Sequence, residues 1–437
     1  METASKEKIY TRALLVTAIS AASGMLSCGW NSGCINSAEK PLKKFISDVY
    51  FERRGHQPLS SHSVTILWSI VVSIFPFGGI FGGYFAGRLS NKFGRKSGLL
   101  LTNLIGISAA VLMSISKFIS SPECLILGRL VVGIECGLYT GLCSMYLAEI
   151  SPKKIRGRIG TLTSFISFTG LLLGELFSTP ILFGTDQLWP FIMLTAIFPA
   201  AIQFTMLSLF CSESPRYLLI IRNQESQAKT VVMKLRQKFD VNDEIDEMKQ
   251  EAENLSSQKI VNIKELIINP IYRLSLSVAV VVHLSMRWCG INGIMYYSTP
   301  LFEKANIGEK SSYATTGVGV ILVIMTGVSG YLMDKAGRRT LHLLGLSGMC
   351  VCRARPAATS IAIVVNWLSN FTVGLVFPFL NDNISAYSFV PFAVITLLTI
   401  IFLYKYLPET KKRTFEEITI MLRSHKKTVN KNNESVA

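Results

Sequence analysis

The sequence contains the stretch GRLSNKFGRK at residues 87–96, and a second stretch of the same pattern, GYLMDKAGRR, at residues 330–339. Both read Gly, three residues, Asn or Asp, Lys, any residue, Gly and two basic residues. Each follows a long apolar run and precedes another apolar run. Glycines allow close backbone approach, and cations favour the cytoplasmic side of a membrane. The pattern therefore predicts a tight basic turn between two membrane helices, and its repetition predicts a duplicated membrane domain, as in secondary transporters.

The composition indicates the same class of protein. Of the 437 residues, 49% are hydrophobic and only 16% are charged, which is typical of a helical membrane protein. The formal net charge of +16 resides in short loops between apolar runs, so we expect no nucleic-acid partner. The nine cysteines show no metal-ligand spacing, and the chain has no nucleotide-binding loop or hydrolase constellation. The sequence therefore predicts no metal site, no cofactor and no enzyme, but a transporter that uses existing gradients.

The apolar runs predict ten full spans in two bundles. The expected domains are a cytoplasmic N-terminus at 1–12, an N-terminal six-helix bundle at 13–210, a cytoplasmic linker with short helices at 211–273, an incomplete C-terminal bundle at 274–406 and a cytoplasmic tail at 407–437. The predicted spans cover about 13–33, 64–86, 97–115, 124–148, 160–177, 188–210, 274–297, 313–333, 361–379 and 388–406.

Three local patterns in the first half carry further expectations. The first span ends in the glycine-rich polar residues 29–33, which predicts a helix end that faces a cavity. The charged stretch 36–63 is predicted to be a loop. In the second span, Gly79, Gly83 and Gly87 recur every four residues, which predicts a smooth face on which another helix packs closely.

The unequal distribution of lysine and arginine orients the chain. Most cations in short loops lie on the side of the two repeated stretches, whereas short loops on the other side carry only Lys117, Lys304 and Lys310. The positive-inside rule therefore predicts that both repeated stretches and both termini are cytoplasmic.

The second half is shorter than the first. The step from Gly94 to Arg156 is 62 residues, and the equivalent step from Gly337 to Arg355 is 18, a deficit of 44 residues. The apolar remainder, Leu341–Cys352, would be about 18 Å long as a helix, too short for a hydrocarbon core of about 30 Å. We interpret it as a stub, with two spans and their loop missing from the second half.

Several motifs accompany the repeated stretches. They are Glu149 with Arg156-Gly157, Glu213-Ser214-Pro215-Arg216, Gly290-Ile291-Asn292, Tyr296-Tyr297-Ser298, Ala336-Gly337-Arg338-Arg339-Thr340 and Pro408-Glu409-Thr410-Lys411. As a set, over about residues 10–425, they resemble the facilitative glucose transporters of the sugar porter family, in the major facilitator superfamily. The resemblance implies an all-α membrane fold of two helical bundles, a central sugar site and alternating access. In these terms the chain lacks the ninth span and most of the tenth.

The residues themselves indicate where a sugar could bind. A hexose presents hydroxyl groups on all sides, so its site needs neutral donors and acceptors and an aromatic face. Such groups occur in the seventh span and in the penultimate span. They are Asn292, Tyr296 and Tyr297, and then Asn366, Trp367 and Asn370. The alternative is hydrogen bonding between helices within a bundle, with Tyr297 either packing or gating.

The chain departs from the pattern of the family it resembles. Ser164 stands where the family has a glutamine, and Met286 and Arg287 stand where it has two adjacent glutamines. Leu322 replaces an asparagine, and the glutamate and tryptophan of the tenth span fall in the missing segment. Ser164 and Arg287 are therefore candidate sugar-site residues at positions that differ from the family.

Three charges lie within predicted spans. Arg287 and Glu135 fall near mid-span, and Glu175 lies nearer an outer end. Charges inside a membrane usually face a partner or water, so we predict a pair of Arg287 with Glu135 or Glu175, which favours anionic substrates or proton coupling; snorkelling is the alternative. Sugar–proton symporters of the family have an aspartate where this chain has Asn31, and an amide cannot titrate. Passive uniport is therefore the first expectation. Proton symport is the alternative, because Glu135 is a carboxyl group within a span.

The cytoplasmic motifs predict an inner gate. Arg95, Glu149, Arg156 and Glu213 are expected to form a network across the inner ends of the first six helices. A weaker counterpart in the second half would consist of Arg338, Arg339 and Glu409. The alternative is that these cations only anchor the chain in the membrane according to the positive-inside rule.

Two classes of function follow. The first is passive transport of a hexose such as glucose across the cell membrane, with a small sugar and the lipid bilayer as the partners. The second is a truncated product that does not transport, and that is retained inside the cell or forms an oligomer with a full-length homologue. The deficit of 44 residues favours the second class, whereas the motifs outside the gap favour the first.

Overall fold

The computed structural model describes the chain in segments. These are residues 10–152, 155–256, 268, 276–277, 280–281, 283–285, 287–305, 310–336, 355–384 and 387–406.

Between residues 12 and 210, the described part of the chain is a series of α-helices joined by turns. In order they are α1 Arg12–Ala22, α2 Gly24–Ser37, α3 Glu39–Arg53, α4 Ser61–Phe93, α5 Arg95–Ile115, α6 Pro122–Ile150, α7 Arg156–Phe177, α8 Trp189–Leu194 and α9 Ile197–Phe210. Helix starts carry expected capping residues, since the Ser60 hydroxyl accepts from the Ser63 amide and the Ser121 hydroxyl accepts from the Cys124 amide.

Further helices follow in the rest of the chain. They are a π-helical turn at Tyr217–Ile221, α10 Glu225–Arg236, α11 Asn242–Ser256, α12 Ile291–Lys304, α13 Ser311–Ala336, α14 Arg355–Ile384 and α15 Val390–Tyr406. The chain divides into two compact units, Met1–Ser257 with Met295–Thr326, and Gln258–Ile294 with Gly327–Ala437.

The helices agree with a multi-pass membrane protein. Within the described residues, eight helical segments are long and apolar enough to cross a membrane. Six coincide with the predicted spans of the first half, and two with those at 313–333 and 361–379. α15 is shorter. Because the stub at 341–352 and parts of the span at 274–297 lie outside the described residues, the total of ten spans stays a prediction.

Glycines bring α4 and α6 close together. A Cβ atom on Gly78 or Gly82 of α4 would overlap the backbone of α6, and one on Gly133 or Gly137 of α6 would overlap the backbone of α4. The glycine-rich part of α4 therefore packs closely on another helix, as small residues do in membranes. Gly87 differs, because a Cβ there would meet nothing within 4 Å.

Two expectations are wrong, one about the first span and one about the charged stretch that follows it. α2 continues to Ser37, and Gly29 and Gly33 lie against the backbone of α7 at Ser167 and Leu171. Residues 29–33 are thus a helix-packing segment and not a helix end that faces a cavity. The charged stretch 36–63 is not wholly a loop either, because it contains α3.

The linker between the halves contains a small core of its own. α10 and α11 pack with the π-helical turn through buried apolar side chains. These are Leu218, Leu219, Ala228, Val232, Val241, Ile245 and Met248. Arg236 attaches this core to the membrane helices, since its Nη1 donates to the Ile150 carbonyl at 2.9 Å. A predicted third linker helix at 260–268 lies, apart from residue 268, outside the described residues.

Candidate functional site

A polar cluster in the second unit joins the seventh and penultimate spans. The Arg287 Nε donates to the Asn366 Oδ1 at 2.8 Å, and its Nη1 donates to the Asn292 Oδ1 at 3.3 Å. The Asn292 Nδ2 donates in turn to the Asn370 Oδ1 at 2.5 Å. Asn292 and Asn370 are buried, and Arg287 and Asn366 are half-buried. Four side chains predicted from two distant stretches therefore meet in one place, which we call the amide cluster.

The local backbone explains how α12 presents Asn292. A turn at 289–290 precedes the helix, and Gly290 has φ of +88°, which a side chain would disfavour. Gly293 then allows the Phe377 ring to approach α12, since a Cβ there would lie 2.8 Å from the Phe377 Cε2. Phe377 packs with Phe389 and Phe392. This aromatic packing supports the segment that carries Asn292.

The remaining predicted sugar-site residues lie in different surroundings. Trp367 is buried next to Asn366 on α14. Tyr296 and Tyr297 are buried in the first unit, with their rings 6.4 Å apart and nearly perpendicular. Ser164 lies exposed on α7. Arg287, Asn292, Asn366 and Asn370 of the predicted residues are joined by the hydrogen bonds of the amide cluster; the sugar-binding roles stay predictions.

α12 is bent at the tyrosine pair. Tyr297 has φ of −135° and ψ of 19°, which interrupts the helix, and Pro300 follows one turn later. The Asn36 side chain, at the end of α2, bonds the bent segment: its Nδ2 donates to the Met295 carbonyl at 2.9 Å and to the Ser298 Oγ at 2.7 Å. The helix interruption therefore has a buried polar partner on the first span.

Ionic residues predicted as an inner gate meet within the first unit. The Arg95 Nη2 lies 2.8 Å from the Glu149 Oε1, and the other Glu149 oxygen accepts from the Ser214 hydroxyl. The Glu213 carboxylate accepts from the main-chain amides of Arg95, at 2.8 Å, and of Lys96, at 3.1 Å. An anion at a helix N-terminus is favourable, so Glu213 caps α5. We call this arrangement the cytoplasmic network, after the side of the membrane on which the sequence predicts it.

Gly94 makes that capping contact possible. It has φ of +99°, and a Cβ there would overlap the Glu213 Oε2. The Arg95 guanidinium also lies 5.0 Å from the centre of the Tyr217 ring. Arg156, predicted as a fourth member, begins α7. Arg338, Arg339 and Glu409 lie outside the described residues or in a part where no side chain is described, so the weaker second gate stays a prediction.

Buried charges in the first unit form a separate group. The Glu135 Oε1 accepts from the Ser27 hydroxyl at 3.0 Å, and Asn31 donates to the same Ser27 at its carbonyl, 2.9 Å, and its Oγ, 3.3 Å. The Arg129 Nη1 donates to the Asn31 carbonyl at 2.8 Å. Glu175, on α7, lies against Gly319 of α13. The observed hydrogen bonds of Arg287 run to asparagines, and its predicted pairing with Glu135 or Glu175 stays a prediction.

Ion pairs connect α3 to its neighbours. They join Lys44 with Asp186, Arg53 with Glu123, and Lys40 with Glu303. Hydrogen bonding to the Asp186 carboxylate raises the pKa of Lys44, and hydrogen bonding to Glu123 raises the pKa of Arg53. These pairs are largely exposed, so we expect each to contribute little to stability.

Comparison with known proteins identifies the family. The sequence model described as "Sugar (and other) transporter" matches residues 16–354 and 353–422. The solute carrier family 2 facilitated glucose transporter member 1 of Gallus gallus is 37% identical over 473 aligned positions, which cover 97% of this chain and 95% of that protein. Member 3 of Ovis aries is 39% identical over 456 positions, covering 93% and 92%. The chain belongs to the sugar transporter family.

Solved structures show the fold that this sugar transporter shares. The partially occluded, inward-open xylose transporter XylE from E. coli superimposes with a TM-score of 0.75 at 21% identity, covering 92% of this chain and 100% of XylE. The major facilitator superfamily proton:xylose symporter XylE bound to 6-bromo-6-deoxy-D-glucose also gives 0.75 at 21%, covering 94% and 99%. The predicted all-α major facilitator fold and the transporter class, as opposed to an enzyme, are confirmed.

The comparisons also bear on the predicted gap in the second half of this sugar transporter. The two matched segments meet at residues 353–354, directly after the predicted stub, which ends at Cys352. The alignment with member 1 spans 473 positions, more than the 437 residues of this chain. The relative therefore carries residues that this chain lacks, in agreement with a missing segment.

Two residues at these sites were not among the predicted ones. Ser214 belongs to the cytoplasmic network, and Asn36 contacts the bend in α12. For Ser214, the signal was its place in the motif that begins with Glu213. Asn36 carries no local signal, because its partners lie more than 250 positions away.

Proposed function

We propose that this sugar transporter carries a neutral hexose such as glucose across the cell membrane by passive alternating access, with both termini cytoplasmic. The names of the relatives support glucose as the substrate, since both are facilitated glucose transporters. The positive-inside count supports the orientation. Asn31 supports passive transport, because the amide that occupies this position in the first span cannot bind and release a proton in the neutral range.

The amide cluster is the observation that carries the proposal. Asn292, Asn366 and Asn370 supply neutral donors and acceptors, which suit a ligand that is hydroxylated on all sides. Asn366 uses its Oδ1 for Arg287, and its Nδ2 donates to no partner among the described residues. We assign this amide to a sugar hydroxyl and the neighbouring Trp367 to an aromatic face of the site.

The charge of Arg287 bears on which sugars are accepted. Its two observed hydrogen bonds go to the amide oxygens of Asn366 and Asn292. In Arg287→Gln the charge is lost and both oxygens become available to substrate, so we expect glucose uptake to persist and competition by an anionic sugar such as glucuronate to weaken. If uptake, competition and pH dependence are all unchanged in this variant, Arg287 has no role in selecting substrate.

The deciding experiment is uptake of labelled glucose in cells that lack their own hexose transporters, normalised to surface protein. Saturable uptake that other hexoses compete supports the proposal. Surface protein without uptake contradicts it. Absence from the surface, restored by co-expression of a full-length homologue, supports the alternative of a truncated product that acts only in an oligomer.

Proton symport is a second candidate because of Glu135. This carboxyl group is fully buried, and its Oε2 has no hydrogen-bond partner among the described residues. A hydrogen-bonded series links it through Ser27 and Asn31 to the buried Arg129. Symport predicts that uptake rises when the outside is acidified and that an ionophore abolishes the rise. Glu135→Gln would then remove the response to acid, and Glu175→Gln would not. Uptake that does not depend on the proton gradient supports the passive carrier.

A further inference from the structure

The bend in α12 separates two main-chain groups that a regular helix would join. In an α-helix the amide of residue 299 donates to the carbonyl of residue 295. Here the Thr299 amide donates to the Asn36 Oδ1 at 3.2 Å, and the Met295 carbonyl accepts from the Asn36 Nδ2 at 2.9 Å. The interrupted residue, Tyr297, lies midway between them. One side-chain amide from α2 therefore bonds both groups.

We propose that the Asn36 amide replaces this main-chain hydrogen bond of α12 and thereby makes the end of α2 a sensor of whether α12 is bent or straight. A carboxamide carries a donor and an acceptor side by side, as a peptide group does. It can therefore be inserted between a separated N–H and C=O. Inserted polar groups of this kind are a recognised cause of helix kinks.

Because the bend is buried, the bent form of α12 needs the hydrogen bonds that the Asn36 amide supplies. Asn36 is 0% exposed, and Thr299 is 6% exposed. Buried main-chain groups must find a partner, since leaving one unsatisfied is costly. Pro300 keeps the helix from closing by itself, because its ring conflicts with the carbonyl one turn earlier, at Tyr296.

A second set of contacts connects the bend to α13. The Asn36 Nδ2 also donates to the Ser298 Oγ at 2.7 Å, and this hydroxyl donates to the Thr315 Oγ1 at 3.1 Å. The Thr299 Oγ1 lies 2.9 Å from the same Thr315 oxygen. α2, α12 and α13 therefore share one buried polar network, all of it within the first unit. Straightening α12 would restore the bond from Thr299 to Met295 and release Asn36.

Amide hydrogen exchange of the 437-residue chain in lipid nanodiscs tests the inference. In Asn36→Leu the Thr299 amide loses its acceptor while Pro300 keeps the bend, so exchange in the fragment 296–301 should rise at least tenfold. Adding Pro300→Ala lets the helix straighten, so the double variant should return to slow exchange. Ser32→Ala is the matched control on α2, because its hydroxyl donates to the Cys28 carbonyl of its own helix. It should behave as wild type.

Unchanged exchange in Asn36→Leu would overturn the inference, and so would an increase that Pro300→Ala does not reverse. If the leucine variant does not fold, Asn36→Ala removes the same acceptor with a smaller side chain and is judged by the same criteria.

The consequence for transport rests on the proposed function. If the bend changes during the cycle, Asn36→Leu lowers maximal glucose uptake at least fivefold, while the half-saturating glucose concentration changes less than twofold because Asn36 lies outside the amide cluster. The two failures are distinct. A wild-type protein without uptake overturns the proposed function alone, whereas normal maximal uptake in Asn36→Leu overturns the sensor role.

Discussion

Arg95 and Glu149, 54 positions apart in sequence, form an ion pair of 2.8 Å in which the side chains are only 9% and 16% exposed. The same glutamate accepts from Ser214, and the amide of Arg95 donates to Glu213. One cluster thus holds the start of α5, the end of α6 and the segment after α9 together. Charges this far from solvent interact more strongly than an exposed pair does.

Glu149→Gln tests the strength of the cytoplasmic network. The glutamine keeps the shape but removes the negative charge opposite Arg95, so we expect a loss of about 2 kcal/mol, in the range for hydrogen bonds to charged groups. Thermal unfolding in detergent, followed with a thiol-reactive dye, measures it. Asp246→Asn, at an exposed position of α11, should change the transition little. Equal unfolding temperatures for the two variants would show that the network does not stabilise the fold and that its cations serve only to orient the chain in the membrane.

The two glycines of the first repeated stretch should respond differently to alanine. Gly94→Ala forces a side chain into a backbone conformation at φ of +99° and against Glu213, and conformations of this kind cost about 1–3 kcal/mol before any overlap is counted. Gly87→Ala meets open space within α4. We expect Gly94→Ala to lower the unfolding temperature clearly and Gly87→Ala to leave it unchanged or raise it. Similar effects of the two changes would contradict the geometry at Gly94.

Asn366→Ala tests the amide cluster as a sugar site. The variant removes the Nδ2 donor that we assign to a sugar hydroxyl, and one neutral hydrogen bond is worth about 1 kcal/mol. We therefore expect the half-saturating glucose concentration to rise about fivefold, with surface protein unchanged. Asn383→Ala is the control on the same helix, since the Asn383 amide is exposed and bonds the Phe379 carbonyl of its own helix. A cluster that only joins helices would show reduced surface protein with an unaltered half-saturating concentration.

Acid should loosen the contact between α10 and α11. Hydrogen bonds from Lys249 and Lys229 lower the pKa of Glu225 below its ordinary 4.5. A lowered pKa in the folded protein contributes stability above pH 4.5, and this contribution is lost as pH falls through the folded value.

The measurement is hydrogen exchange of residues 242–256 in wild type and in Glu225→Gln between pH 7 and pH 3. Comparison at each pH cancels the intrinsic pH dependence of exchange. The variant should exchange faster at pH 7, and its difference from wild type should shrink as pH falls below 4.5. A constant difference across the range would mean that Glu225 acts through packing and not through its charge.

The apolar residues of α3 carry a helical pattern in the sequence itself. Leu42, Phe45, Ile46 and Val49 follow the spacing of one helix face, and three of them are buried in the structure. The frequent charges favoured a loop, whereas the period of the apolar residues indicates a helix on a surface. The glycines of α4 show what the sequence pattern could not predict. Their four-residue spacing predicted a packing face, but only the partner helix decided that Gly87 lies outside it.

By itself, the sequence determined where the membrane helices of the first half lie, because an apolar segment in lipid must satisfy its backbone hydrogen bonds within itself. It also determined the family and the gap, through motifs and their spacing. The tertiary structure alone decided that Asn36 bonds Thr299, 263 positions away, and that Arg287 bonds Asn366, 79 positions away. Such contacts depend on how helices rotate and pack against each other. That arrangement comes from many weak contacts at once, which no local pattern encodes.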